Sequence, residues 1–168
     1  NTGGIVIGAK NAQALKIINE KIKSREIEKY YLTVVHGKPN KKSGILTAYL
    51  KKNEKKNMVT VTDNQVDGSK KIITEYTVLD CYDNTCLLEV KLHTGRTHQI
   101  RAHLAHIGHP LYGDGKYGRE QGRYRQALYS YKLVFSFSDE NELSYLNGKI
   151  FQAKNIQLLD DYKERKFK

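Results

Sequence analysis

GRTHQIRAHLAHIGHP, residues 95–110, is the point at which the sequence changes from strand-like to helical patterning. Before it, the chain consists mostly of short alternating runs rich in β-branched and aromatic residues. After Gly95, apolar residues recur at the spacing of one helical face, and Gly108 followed by Pro110 is a typical helix end. The stretch therefore predicts a helix over residues 97–108 within a mainly stranded chain.

Strands are predicted on both sides of this helix, because short segments alternate apolar and polar residues and are separated by turn signals. A clear example is EKYYLTVVHG (28–37), which ends at a Gly-Lys-Pro turn. A buried strand is also predicted at IVIG (5–8). The other predicted strands are ILTAYL (45–50), MVTVT (58–62), KIITEYTVLD (71–80), TCLLEVKLH (85–93), QALYSYKLVFSF (126–137) and KIFQAKN (149–155).

Two further helices are predicted near the ends of the chain. NAQALKIINEKIK (11–23) has Asn11 as its N-cap and an apolar face. That face comprises Ala14, Leu15, Ile18 and Ile22. IQLLDDYKERKFK (156–168) predicts a short terminal helix. Many strands, a few flanking helices and no internal repeat predict one α+β domain over residues 1–168, with a mixed, mainly antiparallel sheet.

The composition is strongly basic: 29 Lys and Arg against 18 Asp and Glu give a net charge of +11. A basic chain of this size most often meets a polyanion, because neutralising phosphates releases counterions. Lysine content that only keeps the protein soluble is the alternative. KKNEKKN (51–57) is expected to be a solvated hairpin loop, with RNA contact as a second possibility. No apolar run approaches the roughly 20 residues of a membrane-spanning helix.

Cys81 and Cys86 are the only cysteines. Their spacing matches neither a redox C-x-x-C motif nor a zinc knuckle, so buried reduced thiols are expected. Reduced thiols in turn favour a cytoplasmic location.

Residues 95–110 hold four of the six histidines, which raises the question of a metal site. On a helix, His98 and His103 would lie about 140° apart, and no H-E-x-x-H motif is present, so no metal is expected. The arginines suggest different chemistry, since Arg96 and Arg101 with nearby Gln99 could read an anion or a base edge. A solvated helix face is the remaining option for these arginines.

Residues 92–118 read LHTGRTHQIRAHLAHIGHPLYGDGKYG. This segment closely resembles the third signature segment of RluA-type RNA pseudouridine synthases. That signature is L-x-T-G-R-x-H-Q-I-R-x-H and continues to G-x-P-I-x-G-D-x-x-Y-G. EKYYLTVVHG resembles the K-x-Y-x-A-x-V-x-G strand of the same family. The matching positions in the two segments are Lys29, Tyr31, Val35, Gly37, Gly95, Arg96, His98, Gln99, Arg101, His103, Gly108, Pro110, Gly113, Asp114, Tyr117 and Gly118. The resemblance spans nearly the whole chain. It implies the pseudouridine synthase fold and the isomerisation of uridine to pseudouridine in ribosomal or transfer RNA, without a cofactor.

The resemblance also implies residue roles. Tyr31 would be the catalytic tyrosine that stacks on the target base and accepts its C5 proton, and Arg101 would pair with a catalytic aspartate. Residues that would bind the substrate and shape the RNA-facing side of the cleft are Lys29, Arg96, His98 and Gln99.

The catalytic aspartate itself is expected to lie outside the chain. The family's second motif is H-R-L-D-x-x-T-S-G, and residues 1–4 align with x-T-S-G, Gly3 replacing the serine. The aspartate would lie two residues before Asn1, so the chain is expected to be the C-terminal portion of a catalytic domain and inactive alone.

An RNA-binding fragment without turnover is therefore the alternative function, and a metal-dependent hydrolase is a third. The expected partner is RNA. A monomer with no membrane or metal association is expected.

Overall fold

The structure, a computed structural model, describes residues 2–118 and 125–167. These residues form an eight-stranded sheet, three α-helices and one 3-10 turn at Ser144–Leu146. The strands are β1 Gly3–Gly4, β2 Ile27–His36, β3 Ser43–Asn53, β4 Met58–Thr62, β5 Lys70–Tyr82, β6 Thr85–Leu92, β7 Leu128–Phe135 and β8 Ile150–Gln152. The helices are α1 Ala12–Lys23, α2 Gln99–His106 and α3 Gln157–Lys163.

The strand order is β1-β7-β2-β6-β5-β3-β4, and β8 pairs with β7 beside this path. Only the short β1–β7 pair is parallel among the described strands; all other pairs are antiparallel. The predicted α+β class with a mixed, mainly antiparallel sheet is confirmed. Among the described residues, no helix has the length and apolar character needed to span a bilayer.

Helix α2 covers one face of the central strands. Ile100 and Leu104 are buried against Val35, Leu88 and Val90 of β2 and β6. Burying an apolar side chain of this size stabilises a fold by about 1.5–3 kcal/mol, so this contact fixes α2 on the sheet. The helix begins two residues later than predicted, because His98 has left-handed backbone geometry.

The opposite face of the same strands is covered by α3. Tyr162 and Phe167 pack with Val34 and Leu87. Because successive strand residues point to opposite faces, β2 and β6 are buried on both sides at this level.

Helix α1 begins as predicted, with the side chain of Asn11 accepting a hydrogen bond from the backbone N–H of Ala14 at 2.8 Å. Ile17 and Ile18 are buried in a cluster with Phe135. Leu15 is 51% exposed, so the predicted apolar face was wrong at that residue. The buried face is rotated toward Ile17 because α1 packs on the ends of β2 and β7.

The buried strand predicted at residues 5–8 is wrong. Pairing with β7 involves Gly3–Gly4, followed by a single backbone hydrogen bond from Ile5 to Ser130. Val6 is 88% exposed, while Ile5 and Ile7 pack against the cluster that holds α1. The segment alternates because one side rests on the helix cluster, not because it lies inside the sheet.

The prediction of reduced thiols is also wrong. Cys81 and Cys86 are direct partners across the β5–β6 hairpin, with their Cα atoms 4.1 Å apart, and they form a disulfide. The hairpin register brings together two cysteines whose sequence spacing matched neither a redox C-x-x-C motif nor a zinc knuckle. Their support for a cytoplasmic location is therefore lost.

Candidate active site

A cavity of about 150 Å³ lies between the middle of β2, the loop after β6 and the start of α2. We call it the site cavity. Five of the six predicted site residues line it, namely Tyr31, Arg96, His98, Gln99 and Arg101. The sixth, Lys29, lines an adjoining cavity that shares Leu92 and Arg96 with the first.

Tyr31 reaches the site cavity because of its place on β2. It packs with the cluster that contains Ile100 and Leu104, whereas Tyr30 packs on the other face with Leu32. The two neighbouring tyrosines therefore point to opposite faces of the sheet. Burial raises the pKa of Tyr31, and a hydrogen bond with Ser130 only partly offsets this. The hydroxyl is therefore protonated at neutral pH.

Gln99 organises the turn that carries Arg96. Its Oε1 accepts hydrogen bonds from the hydroxyl of Thr94 at 2.9 Å and from the backbone N–H of Arg96 at 3.1 Å. Its Nε2 donates to the carbonyl of Ile73 at 3.1 Å and to the hydroxyl of Thr74 at 3.0 Å. With 2% of its surface exposed, Gln99 shapes the site by holding the backbone around Arg96.

His98 projects from a residue with φ of 53°, in the left-handed region. Its Nδ1 lies 2.9 Å from the hydroxyl of Tyr117, which itself accepts the backbone N–H of Val59 at 3.0 Å. The hydroxyl of Tyr117 thus links His98 to the backbone of β4. Burial lowers the pKa of His98, and the charges of Arg101 and Lys116 lower it further, so the ring is neutral at pH 7.

Arg101 is locked to Asp114 by two hydrogen bonds. Nε donates to Oδ2 at 2.6 Å and Nη2 to Oδ1 at 2.7 Å, and the Asp114 side chain has no exposed surface. Burial would raise the pKa of Asp114, but Arg101 and the backbone N–H groups of Lys116 and Tyr117 outweigh it, and the pKa is lowered. The pairing uses two of the five N–H groups of the guanidinium.

The described residues that line the site cavity include no carboxylate. Its charged groups are the guanidinium groups of Arg96 and Arg101, beside the ring of Tyr31 and the neutral His98. The cavity therefore offers an aromatic surface, cations and a neutral imidazole ring. That combination suits a base attached to a phosphate backbone.

Two contributors to this arrangement, Asp114 and Tyr117, were not assigned a role from the sequence. Both are fixed positions of the signature segment, so the motif contained the signal. Thr74, which binds Gln99 and also lies 2.9 Å from Nδ1 of His103, comes from β5 and had no sequence signal.

The histidines of residues 95–110 make separate contacts. His103 bonds to Thr74, His106 Nε2 lies 2.8 Å from Asp63, and His109 Nδ1 lies 3.0 Å from the carbonyl of His36. Across residues 2–118 and 125–167, no three or more His, Cys, Asp or Glu side chains are grouped as metal ligands would be.

Residues 1–106, from β1 through α2, match the model of the RNA pseudouridylate synthase family. The chain belongs to the RluA-type RNA pseudouridine synthase family. An uncharacterized RNA pseudouridine synthase from Chlorobaculum parvum is 38% identical over 160 residues, which covers 94% of this chain and 46% of that relative. Ribosomal large subunit pseudouridine synthase D from Borreliella burgdorferi is 35% identical over 139 residues, which covers 79% of this chain and 41% of the relative. The chain thus spans somewhat less than half the length of these two relatives.

Solved structures of pseudouridylate synthase domain proteins share the fold. Human RNA pseudouridylate synthase domain containing 4 superimposes with a TM-score of 0.73 at 18% identity, covering 92% of this chain and 68% of that one. Human RNA pseudouridylate synthase domain containing 1 gives a TM-score of 0.64 at 24% identity, and the match covers 94% of this chain and 72% of that one. The expected pseudouridine synthase fold is confirmed.

Proposed function

We propose that this protein isomerises uridine to pseudouridine in structured ribosomal or transfer RNA, with Tyr31 and Arg101 as catalytic residues. The observation that carries the proposal is that these two residues, taken from separate motifs, line one cavity with Arg96 and His98. The reaction breaks the N1–C1′ bond, forms a C5–C1′ bond and moves the C5 proton to N1. It involves no redox change and needs no cofactor to balance.

Tyr31 would stack on the target base. The uridine must leave its helical stack, at a cost of a few kcal/mol, before an enzyme reaches the glycosidic bond. An aromatic surface replaces part of the lost stacking. Because the Tyr31 hydroxyl is protonated at neutral pH, it would accept the C5 proton only by passing on its own.

Arg101 would orient the nucleophilic aspartate, which we infer is supplied by residues that precede Asn1 in the whole protein. The guanidinium groups in the site cavity have no carboxylate between them among the described lining residues. Asp114 is an unsuitable nucleophile, because its side chain is buried and both oxygens are bonded to Arg101. The N–H groups of Arg101 that Asp114 does not engage would hold the second carboxylate ionised.

The other predicted site residues would act on the RNA. Arg96 and His98 would contact the nucleotide, Lys29 would contact the strand from the adjoining cavity, and Gln99 would act through the backbone of Arg96. We further propose a monomer in the cytoplasm that binds neither metal nor membrane; the location rests on the enzyme class alone.

The alternative is an RNA-binding module without turnover. It is favoured by the absence of a carboxylate among the described residues that line the site cavity. Detectable pseudouridine formation by residues 1–168 alone would exclude it.

The proposal is tested by incubating the whole protein with unmodified ribosomal and transfer RNA transcripts and mapping pseudouridine at nucleotide resolution. Modification of a defined uridine supports the proposal and identifies the substrate. Transcripts that bind but stay unmodified would contradict it.

A further inference from the structure

A second cavity, of about 350 Å³, adjoins the site cavity and is lined mainly by basic residues. We call it the basic cavity. It lies between the end of α1, the start of β2, the end of β6 and the following loop. Leu92 and Arg96 line both cavities, so a chain seated in one is directly continuous with a group seated in the other.

The basic cavity has a net excess of positive charge. Glu28, the one carboxylate among the described residues that line this cavity, is neutralised by Lys91 at 2.5 Å, and His93 is paired with Glu75 at 2.7 Å. Four more cations line it, and in the part of the chain that the structure describes none has a carboxylate within ion-pair distance. These four are Lys23, Arg25, Lys29 and Arg96.

Lys29 is the most buried of these four cations. Its ammonium is partly buried, and burial alone lowers the pKa of Lys29, with no anion to offset it. A Cβ at position 95 would lie 2.9 Å from Nζ of Lys29, so the ammonium lies directly against Gly95. Because a partly buried, unpaired ammonium is unfavourable, an anion in the basic cavity would relieve that cost.

We propose that the basic cavity binds a phosphodiester of the RNA strand beside the target uridine, with Lys29 as its central ligand. The inference rests on the proposed function in that the target uridine would occupy the site cavity. Arg96 would lie between the bound phosphate and the nucleotide in the site cavity. Lys23 and Arg25, both exposed at the mouth of the cavity, add cations on the solvent side.

A path for the strand continues on the other side of Arg96. A third cavity, of about 420 Å³, is lined by Gly95 and Arg96 together with Lys52 and Lys70. Glu54 also lines it and is paired with Lys52 at 2.7 Å. Cavities on both sides of Gly95–Arg96 suit an extended polyanion that crosses this turn, in preference to a single small anion.

The test is equilibrium binding of a fluorescein-labelled single-stranded RNA of 12 uridines to the whole protein over a series of salt concentrations. Lys29→Gln is compared with Lys163→Gln, which removes the same charge from an exposed position on α3. We expect Lys29→Gln to weaken binding by about fivefold to tenfold and to reduce the salt slope by about 0.7, the value for one phosphate of a single strand. Lys163→Gln should change affinity less than about twofold.

Equal behaviour of Lys29→Gln and Lys163→Gln, or no RNA binding by the unsubstituted protein, would overturn the proposal.

Binding is measured without turnover, so the two proposals fail separately. If Lys29→Gln weakens RNA binding, Lys163→Gln does not, and the unsubstituted protein forms no pseudouridine, the phosphate site is supported and the proposed reaction is contradicted. If the protein forms pseudouridine and Lys29→Gln leaves RNA binding unchanged, the reaction is supported and the phosphate site is contradicted.

Discussion

Arg101 and Asp114 form a bidentate ion pair in which the Asp114 side chain has no exposed surface and the Arg101 side chain is 12% exposed. The pair joins the first turn of α2 to the loop that follows the helix. Arg101 therefore has a structural partner besides the catalytic one proposed for it, and the two roles have separable consequences.

Arg101→Ala is expected to lower the free energy of unfolding by about 3–5 kcal/mol, because it leaves Asp114 buried without a counter-charge. Urea denaturation measures the loss. Combining Arg101→Ala with Asp114→Asn should recover part of the lost free energy of unfolding, since no unpaired charge is then buried. Arg165→Ala, at an exposed position, is the control. A loss below about 1 kcal/mol for Arg101→Ala would contradict a structural role for the pair.

Gln99→Leu is expected to lower the free energy of unfolding by about 1–3 kcal/mol, because the Arg96 N–H loses its side-chain partner and the buried Thr74 hydroxyl keeps only His103. It should also lower turnover in the folded protein, since the turn that carries Arg96 is released. Urea denaturation and pseudouridine formation measure the two effects, with Gln152→Leu on exposed β8 as the control. Unchanged turnover would contradict the positioning role.

Stability should fall as the pH drops from 6.5 toward 4, because of His103. Burial, as the main cause, lowers the pKa of His103 to about 4 from its ordinary value of 6.5. The unfolded chain therefore binds a proton in this window that the folded chain does not, so stability is complete above pH 6.5. The lowered pKa of His103 corresponds to a loss of about 3 kcal/mol in the free energy of unfolding at low pH, at about 1.4 kcal/mol for each pKa unit.

Urea midpoints measured across this pH range test the assignment. The dependence of the urea midpoint on pH should be much weaker in His103→Gln. It should be unchanged in His106→Gln, which alters a more exposed residue of the same helix. Equal slopes in both variants would contradict the assignment to His103.

Tyr31→Phe should separate stacking from proton transfer. The phenylalanine ring keeps the stacking surface, so RNA affinity should stay within about twofold, while turnover falls if the hydroxyl handles the C5 proton. Tyr31→Ala should lose both, since stacking on one base contributes about 1–3 kcal/mol. Filter binding and pseudouridine quantification measure the two effects, and Tyr30→Phe on the opposite face is the control. Full turnover of Tyr31→Phe would remove the hydroxyl from the mechanism.

Local patterns predicted most of the fold. Period-2 alternation located the long strands, and MVTVT became β4 with the predicted bounds. The same rule was wrong at residues 5–8, because an extended segment that rests on a helix alternates like a strand. Asn11 and the helix end near Gly108 were predictable because capping is a local interaction.

Long-range pairing was harder to predict. The Cys81–Cys86 disulfide depends on hairpin register, and the contacts of Gln99 with Thr74 depend on how β5 and α2 pack. The motif brought Tyr31 and Arg101 into one hypothesis by resemblance. Their common cavity follows from β2 lying beneath α2, which sequence spacing does not encode.

The most direct measurement of the central claim is tritium release from RNA that carries 5-³H-uridine, because isomerisation detaches the hydrogen from C5. The whole protein should release tritium in proportion to pseudouridine formed. Arg101→Lys keeps the positive charge but loses the bidentate geometry of the guanidinium. This variant should still bind the RNA, but it should release tritium far more slowly. RNA that binds the unsubstituted whole protein without any tritium release, or full release by Arg101→Lys, would contradict the account.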